Sequence, residues 1–105
     1  MSVALKSVQT LDDDEQEALY LRSRRIIEAL LFASAEPMSI DDLARRCPAG
    51  ADVGSILSEL AVEFAHRGVN LVQIAGKWSF RTGPDLGYLL QAQVQEPRKL
   101  SRAAL

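Results

Sequence analysis

The chain has 105 residues, enough for one domain and short tails. Apolar residues make up 48% of it and aromatics 6%, so the core is built from Leu, Ile, Val and Ala, which favours packed helices. A net charge of −2 lacks the basic balance of a dedicated nucleic-acid binder, and the lone Cys47 excludes an intrachain disulfide.

Residues 1–11 read as a flexible tail without a secretory signal, and nowhere does the sequence run apolar long enough for a membrane span. This places the protein in the cytoplasm. A first helix is expected to start between Thr10 and Asp13, with Thr10 or Asp12 as cap. Leu19, Ile26, Ile27, Leu30, Leu31 and Ala33 then recur at helical spacing. The run Leu30-Leu31-Phe32 implies burial on a broad face, and Glu36-Pro37 ends the helix.

A second helix opens on Ser39, with Asp42 three residues on as a weak capping box. Ile40, Leu43 and Ala44 form its inner stripe, Cys47 stands at its end, and Pro48 and Gly50 stop it. A third helix is capped by Asp52. It buries Val53, Ile56, Leu57, Leu60, Ala61 and Phe64 and closes at Gly68.

The period then changes. Residues 69–82 are rich in β-branched and aromatic types, which predicts a hairpin turning at Gly76-Lys77. In that register Ala75 faces Trp78, Ile74 faces Ser79, Gln73 faces Phe80 and Val72 faces Arg81. Leu71, Gln73, Ala75, Trp78 and Phe80 share one face; Val72, Ile74, Ser79 and Arg81 share the other. A fourth helix starts at Pro84, carries Leu86, Leu89, Leu90 and Val94, and ends at Pro97. Three helices, a hairpin and a final helix describe a mostly α, winged helix-turn-helix domain over residues 12–97. Residues 98–105 read as the start of a truncated second winged-helix domain, with Ser101 as a helix cap.

No catalytic constellation is present in the sequence. His66 has no nucleophile and no orienting acid at a recognisable spacing, and Asp13, Asp14, Asp41 and Asp42 sit at helix starts, where capping explains them. Glycines stand singly, so no phosphate-cradling loop or cofactor is expected; with one cysteine and one histidine no metal site is expected either, and the chain reads as non-enzymatic. The rival reading is a fragment of a DNA-binding transcriptional regulator, because winged helices often read the major groove with the third helix. The outward positions of that helix are Ser55, Ser58, Glu59, Val62 and Glu63, with Arg67 beyond. Two glutamates there repel phosphates, and Lys77 and Arg81 of the wing are too few to offset them. Protein contact is the better reading, with Leu19, Tyr20, Val72, Ile74, Trp78 and Phe80 as candidate interface residues and Leu21 extending the same patch.

The segment IIEALLFASAEPMSIDDL from Ile26 to Leu43 resembles the first two helices of the segregation and condensation protein B family. LVQIAGKWSFRT (Leu71 to Thr82) is similar to that family's hairpin, and KLSRAAL (Lys99 to Leu105) to the opening of its second winged-helix domain. Residues 1–25 carry no motif of the family. The resemblance implies an accessory subunit of a bacterial condensin. Such a subunit is nucleoid-associated, self-associates as a homodimer through its N-terminal domain, and grips a kleisin subunit. It joins a structural-maintenance-of-chromosomes ATPase through the complex, in chromosome condensation and segregation. It also implies no catalytic or metal site and no sequence-specific DNA binding. A chain ending at Leu105 is expected to dimerise yet to hold the kleisin weakly.

Overall fold

The computed structural model describes residues 11–91. The elements in order are helix α1 (Asp13–Ala33), α2 (Ile40–Arg46), α3 (Val53–Glu63), strands β1 (Val69–Ile74) and β2 (Lys77–Thr82), and a 3-10 turn over Pro84–Leu86. Residues 87–91 continue as helix. The mostly α, winged-helix reading therefore holds. Val94, Pro97 and the tail and second-domain segments at 1–10 and 98–105 lie outside the described residues.

Capping fixes the helix starts where the sequence placed two of them by name. The Asp12 carboxylate accepts from the Glu15 N–H at 2.7 Å, while the Asp12 N–H donates to Glu15 Oε1 at 3.1 Å. That is a full capping box, and it selects Asp12 over Thr10. Ser39 and Asp42 form a second reciprocal box on α2, and Asp52 caps α3 by accepting from the Ser55 N–H at 3.2 Å.

The stops differ from expectation. Helix α1 ends at Ala33, ahead of Glu36-Pro37, because Ser34 is extended and its hydroxyl donates to the Glu36 carbonyl at 2.6 Å. Helix α3 stops at Glu63 rather than running to Gly68. Its end is held by Asn70, whose side-chain amide donates to the carbonyls of Phe64 at 2.6 Å and Arg67 at 3.2 Å. The Phe64 carbonyl also accepts from the Arg67 N–H at 3.2 Å, so a turn and a side chain from β1 together close the end where a C-terminal glycine was expected.

The core is one cluster where α1, α2, α3 and β1 meet. Ile27 and Leu31 of α1, Leu43 of α2, and Val53, Ile56, Leu57 and Leu60 of α3 are buried with Phe64 and Leu71. Full burial of each such aliphatic side chain contributes about 1.5–3 kcal/mol relative to exposure. Two residues expected in the inner stripe of α2 are not there: Ile40 is 40% exposed and Ala44 is exposed too. A helix of only seven residues buries a single point, Leu43, against its neighbours. Phe80 of β2 stacks on Phe64, ring centres 5.0 Å apart and planes inclined at 55°.

The hairpin turns one residue earlier than the spacing predicted. Ala75 and Gly76 both take positive φ, +51° and +81°, the signature of a type I′ turn, and Ile74 pairs with Lys77. Val72 thus faces Ser79, Gln73 faces Trp78 and Leu71 faces Phe80, in place of the expected partners. Both registers leave each residue on the same face of the ribbon, since every pairing moves by two positions along one strand. Leu71 across from Phe80 puts two core side chains in direct contact, which the expected register would have separated. Met38 adds a one-residue third strand: it exchanges backbone hydrogen bonds of 2.8 and 2.7 Å with Trp78.

Candidate protein-interaction surface

In this fold, α3 is the helix that would enter a DNA groove. Ser55, Ser58, Glu59, Val62 and Glu63 are all exposed along it, as the helical periodicity required, and Val62 is 76% exposed. The two glutamates are engaged from the neighbouring helix. Tyr20 donates to Glu59 Oε1 at 2.5 Å, and Arg24 donates to the Tyr20 oxygen at 3.0 Å. Arg24 also pairs with Glu63, and Arg67 reaches the other Glu63 oxygen at 3.3 Å while lying 4.6 Å above the Phe64 ring. The guanidinium groups of Arg24 and Arg67 are therefore committed to carboxylates of the same surface, which leaves Lys77 and Arg81 of the wing as the cations nearby without a carboxylate partner among the described residues. What remains on the outer face of α3 is serine and valine, without the Arg, Lys, Asn or Gln that reads base edges.

The candidate interface residues separate into two groups. Leu19 and Tyr20 are half-buried where α1 meets the start of α3, around a hollow of about 210 Å³ bordered by Gly50 and Ile56. Trp78 and Phe80 are half-buried against the core, and the Trp78 indole nitrogen is enclosed without a hydrogen-bond partner. Most of the contact these four make is within the chain. Val72 and Ile74 lie on the opposite face of the ribbon; Ile74 is 40% exposed and Val72 half-buried. Of the three consecutive residues expected to form an open patch on α1, only Leu21 is open, at 48%.

Among the described residues, the most exposed large apolar side chain is one expected to be buried. Phe32 is 83% exposed, although it follows buried Leu31 directly. Helical geometry accounts for this: at about 100° per residue, Phe32 points well away from Ile27, which marks the centre of the buried side. The apolar run suggested a broad inner face, whereas periodicity alone would have placed Phe32 outside. Beside it opens a groove of about 500 Å³ between the second half of α1 and the hairpin. Leu31, Phe64, Phe80 and Val69 line its floor, and Arg25, Glu28 and Ser34 its rim. Val69 is itself 44% exposed.

Chemically reactive groups are few. Cys47 caps the end of α2, and partial burial pushes its thiol above the ordinary 9.0. His66 is exposed in the turn after α3. Among the described residues, no three His, Cys, Asp or Glu side chains are grouped so as to hold a metal ion, and no helix is long and apolar enough to cross a membrane. The surface suits binding through shape and apolar contact.

Comparison with known proteins agrees with the resemblance. The model of the family described as segregation and condensation complex subunit ScpB matches residues 25–105. The segregation and condensation protein B of Syntrophotalea carbinolica is 40% identical over 86 residues, which cover 78% of this chain and 44% of that protein. The chain thus spans less than half the length of that relative. Among solved structures, ScpB from Mycobacterium tuberculosis superposes with a TM-score of 0.64 at 25% identity, covering 84% of this chain and 52% of that one. A ScpB N-terminal domain, crystallised as a dimer complexed with a ScpA peptide, shares the fold with a TM-score of 0.58 at 24% identity. That alignment covers 68% of this chain and 93% of that domain. The chain belongs to the segregation and condensation complex subunit ScpB family.

Proposed function

We propose that this chain is a non-catalytic accessory subunit of a bacterial condensin complex that acts by self-association and by binding a kleisin subunit. The observation that carries the proposal is the contrast between two surfaces. The helix that would read DNA presents carboxylates tied into ion pairs, whereas Phe32 and Val69 stand open beside an apolar groove. Exposed large apolar groups next to a concave surface mark a protein partner. The related ScpB N-terminal domain was crystallised as a dimer with a ScpA peptide, and two partners call for two surfaces. In this chain the α1–hairpin groove supplies one. The outward ribbon face with Val72 and Ile74 supplies the other, with the half-buried Trp78 and Phe80 on the ribbon's inner side, while Leu19 and Tyr20 lie apart at the α1–α3 hollow. The structural-maintenance-of-chromosomes ATPase is reached through the kleisin, in the cytoplasm at the nucleoid.

Titration calorimetry of the chain with its own organism's ScpA-type kleisin segment, run beside a short duplex DNA, tests this reading. Saturable heat with the kleisin and only weak, salt-sensitive association with duplex are expected. Salt-resistant, sequence-selective duplex binding without kleisin binding would overturn it in favour of a DNA-binding regulator.

A further inference from the structure

The solvent side of α1 carries a pattern that the core does not use. Ala18, Leu21, Arg25, Glu28 and Phe32 recur at intervals of three and four residues, the spacing of a two-helix seam. All five are exposed, Leu21 at 48% and Phe32 at 83%. Neither Arg25 nor Glu28 has an ion-pair partner among the described residues, in contrast to Arg24 one position away.

The pattern is also symmetric. Leu21 stands four residues before Arg25, and Phe32 four residues after Glu28. A second α1 laid antiparallel across this face, with a two-fold axis midway between Arg25 and Glu28, meets its own complement. Each Arg25 faces a Glu28 of the other copy, and each Leu21 faces a Phe32. An isologous interface requires this property: residue i touches j while j touches i. The register is specific, because a shift by one turn in either direction places Leu21 or Phe32 against a charge. The groove beside Phe32, floored by Val69 and Phe80, gives the incoming Leu21 an apolar place to end.

We infer that the outer face of α1 is the self-association surface, and that a second copy of this chain packs there antiparallel through reciprocal Arg25–Glu28 and Leu21–Phe32 contacts. This rests on the self-association part of the proposed function and assigns it a place and a register. It leaves the outward ribbon face to the kleisin.

Sedimentation velocity of the full chain, with Arg25→Glu and the double variant Arg25→Glu/Glu28→Arg, tests it. Both positions are exposed, so the fold is expected to survive, with far-UV circular dichroism as the control. Arg25→Glu sets glutamate against glutamate twice and should weaken the dimer by roughly tenfold or more. The double variant restores both reciprocal pairs with their signs exchanged and should recover the wild-type assembly. A wild-type dimer indifferent to both changes would overturn the seam while leaving self-association standing; a monomeric wild type would overturn both. Direction is read by mixing Leu21→Cys and Phe32→Cys chains in a Cys47→Ser background under mild oxidation. Disulfides between the two kinds of chain are expected. Bridges only between like chains would overturn the antiparallel register.

Discussion

Tyr20 and Glu59 lie 39 residues apart, and the phenol of one donates to the carboxylate of the other at 2.5 Å. Arg24 donates to the same phenol oxygen at 3.0 Å, so a tyrosine on α1 relays between a guanidinium and an acid on α3. This contact fixes how the first helix crosses the third. It also ties a carboxylate on the outer face of α3 to the neighbouring helix.

Tyr20→Phe removes the relay while keeping the ring in place. The expected loss is about 1 kcal/mol in urea unfolding, the usual worth of one hydrogen bond to a charged, partly exposed group. A double-mutant cycle with Glu59→Gln should give a coupling of roughly 0.5–1.5 kcal/mol. Additive losses would show that the two groups do not act on each other in solution.

Among the described residues Ser23 is the one fully buried polar residue of the core, and its hydroxyl has no hydrogen-bond partner. Ser23→Ala removes an unsatisfied group from a space already the right size, so stability should hold or rise by up to about 1 kcal/mol. Ser23→Val should lower it by roughly 1–3 kcal/mol, since the site is fully enclosed and two methyl groups in place of the hydroxyl would overpack it. Thermal unfolding of the two variants should therefore bracket the wild type.

At the hairpin, Ala75 holds φ +51° beside Gly76 at +81°. Left-handed backbone costs a non-glycine residue about 1–2 kcal/mol, and Asn-Gly is the pair best suited to this turn. Ala75→Asn is expected to stabilise the chain by about 0.5–1 kcal/mol, whereas Gly76→Ala should destabilise it by a similar or larger amount. Denaturant midpoints moving in the opposite sense would contradict the observed turn.

Asp42 provides a pH-dependent prediction. Hydrogen bonding from the Ser39 side chain, and then from its backbone, holds the carboxyl below the ordinary 3.8. Its folded pKa is depressed, so the capping contribution is fully present above pH 3.8 and is lost as pH falls through the lower folded value. The stability difference between wild type and Asp42→Asn should accordingly be constant near neutrality and shrink as the pH falls below 3.8 through the depressed folded value. A difference that persists at the acid end would remove Asp42 from the cap.

Much of the architecture was legible because it is written in local chemistry. Ser39 with Asp42 and Asp52 with Ser55 announce helix starts through contacts only three residues long. The stop of α3 was not legible, since Asn70 reaches back from a strand that has to form first. The hairpin register escaped for a related reason. Gly-Lys and Ala-Gly both make plausible turns, and the choice between them depends on pairing Leu71 with Phe80 in the core. At the surface, the acidic outer face of α3 followed directly from periodicity. Phe32 did not, because three apolar residues in succession suggest burial even when the helix turns one of them outward. Trp78 and Phe80 looked available for the converse reason: a ribbon with apolar groups on both faces does not disclose which one the helices cover.

Sedimentation velocity of the wild-type chain across the low to high micromolar range tests self-association most directly. A protein-contact module with Phe32 standing open should pass from monomer to dimer with rising concentration, and Phe32→Asp should remain monomeric with an unchanged circular dichroism spectrum. A wild type that stays monomeric throughout would contradict a self-associating protein-contact module.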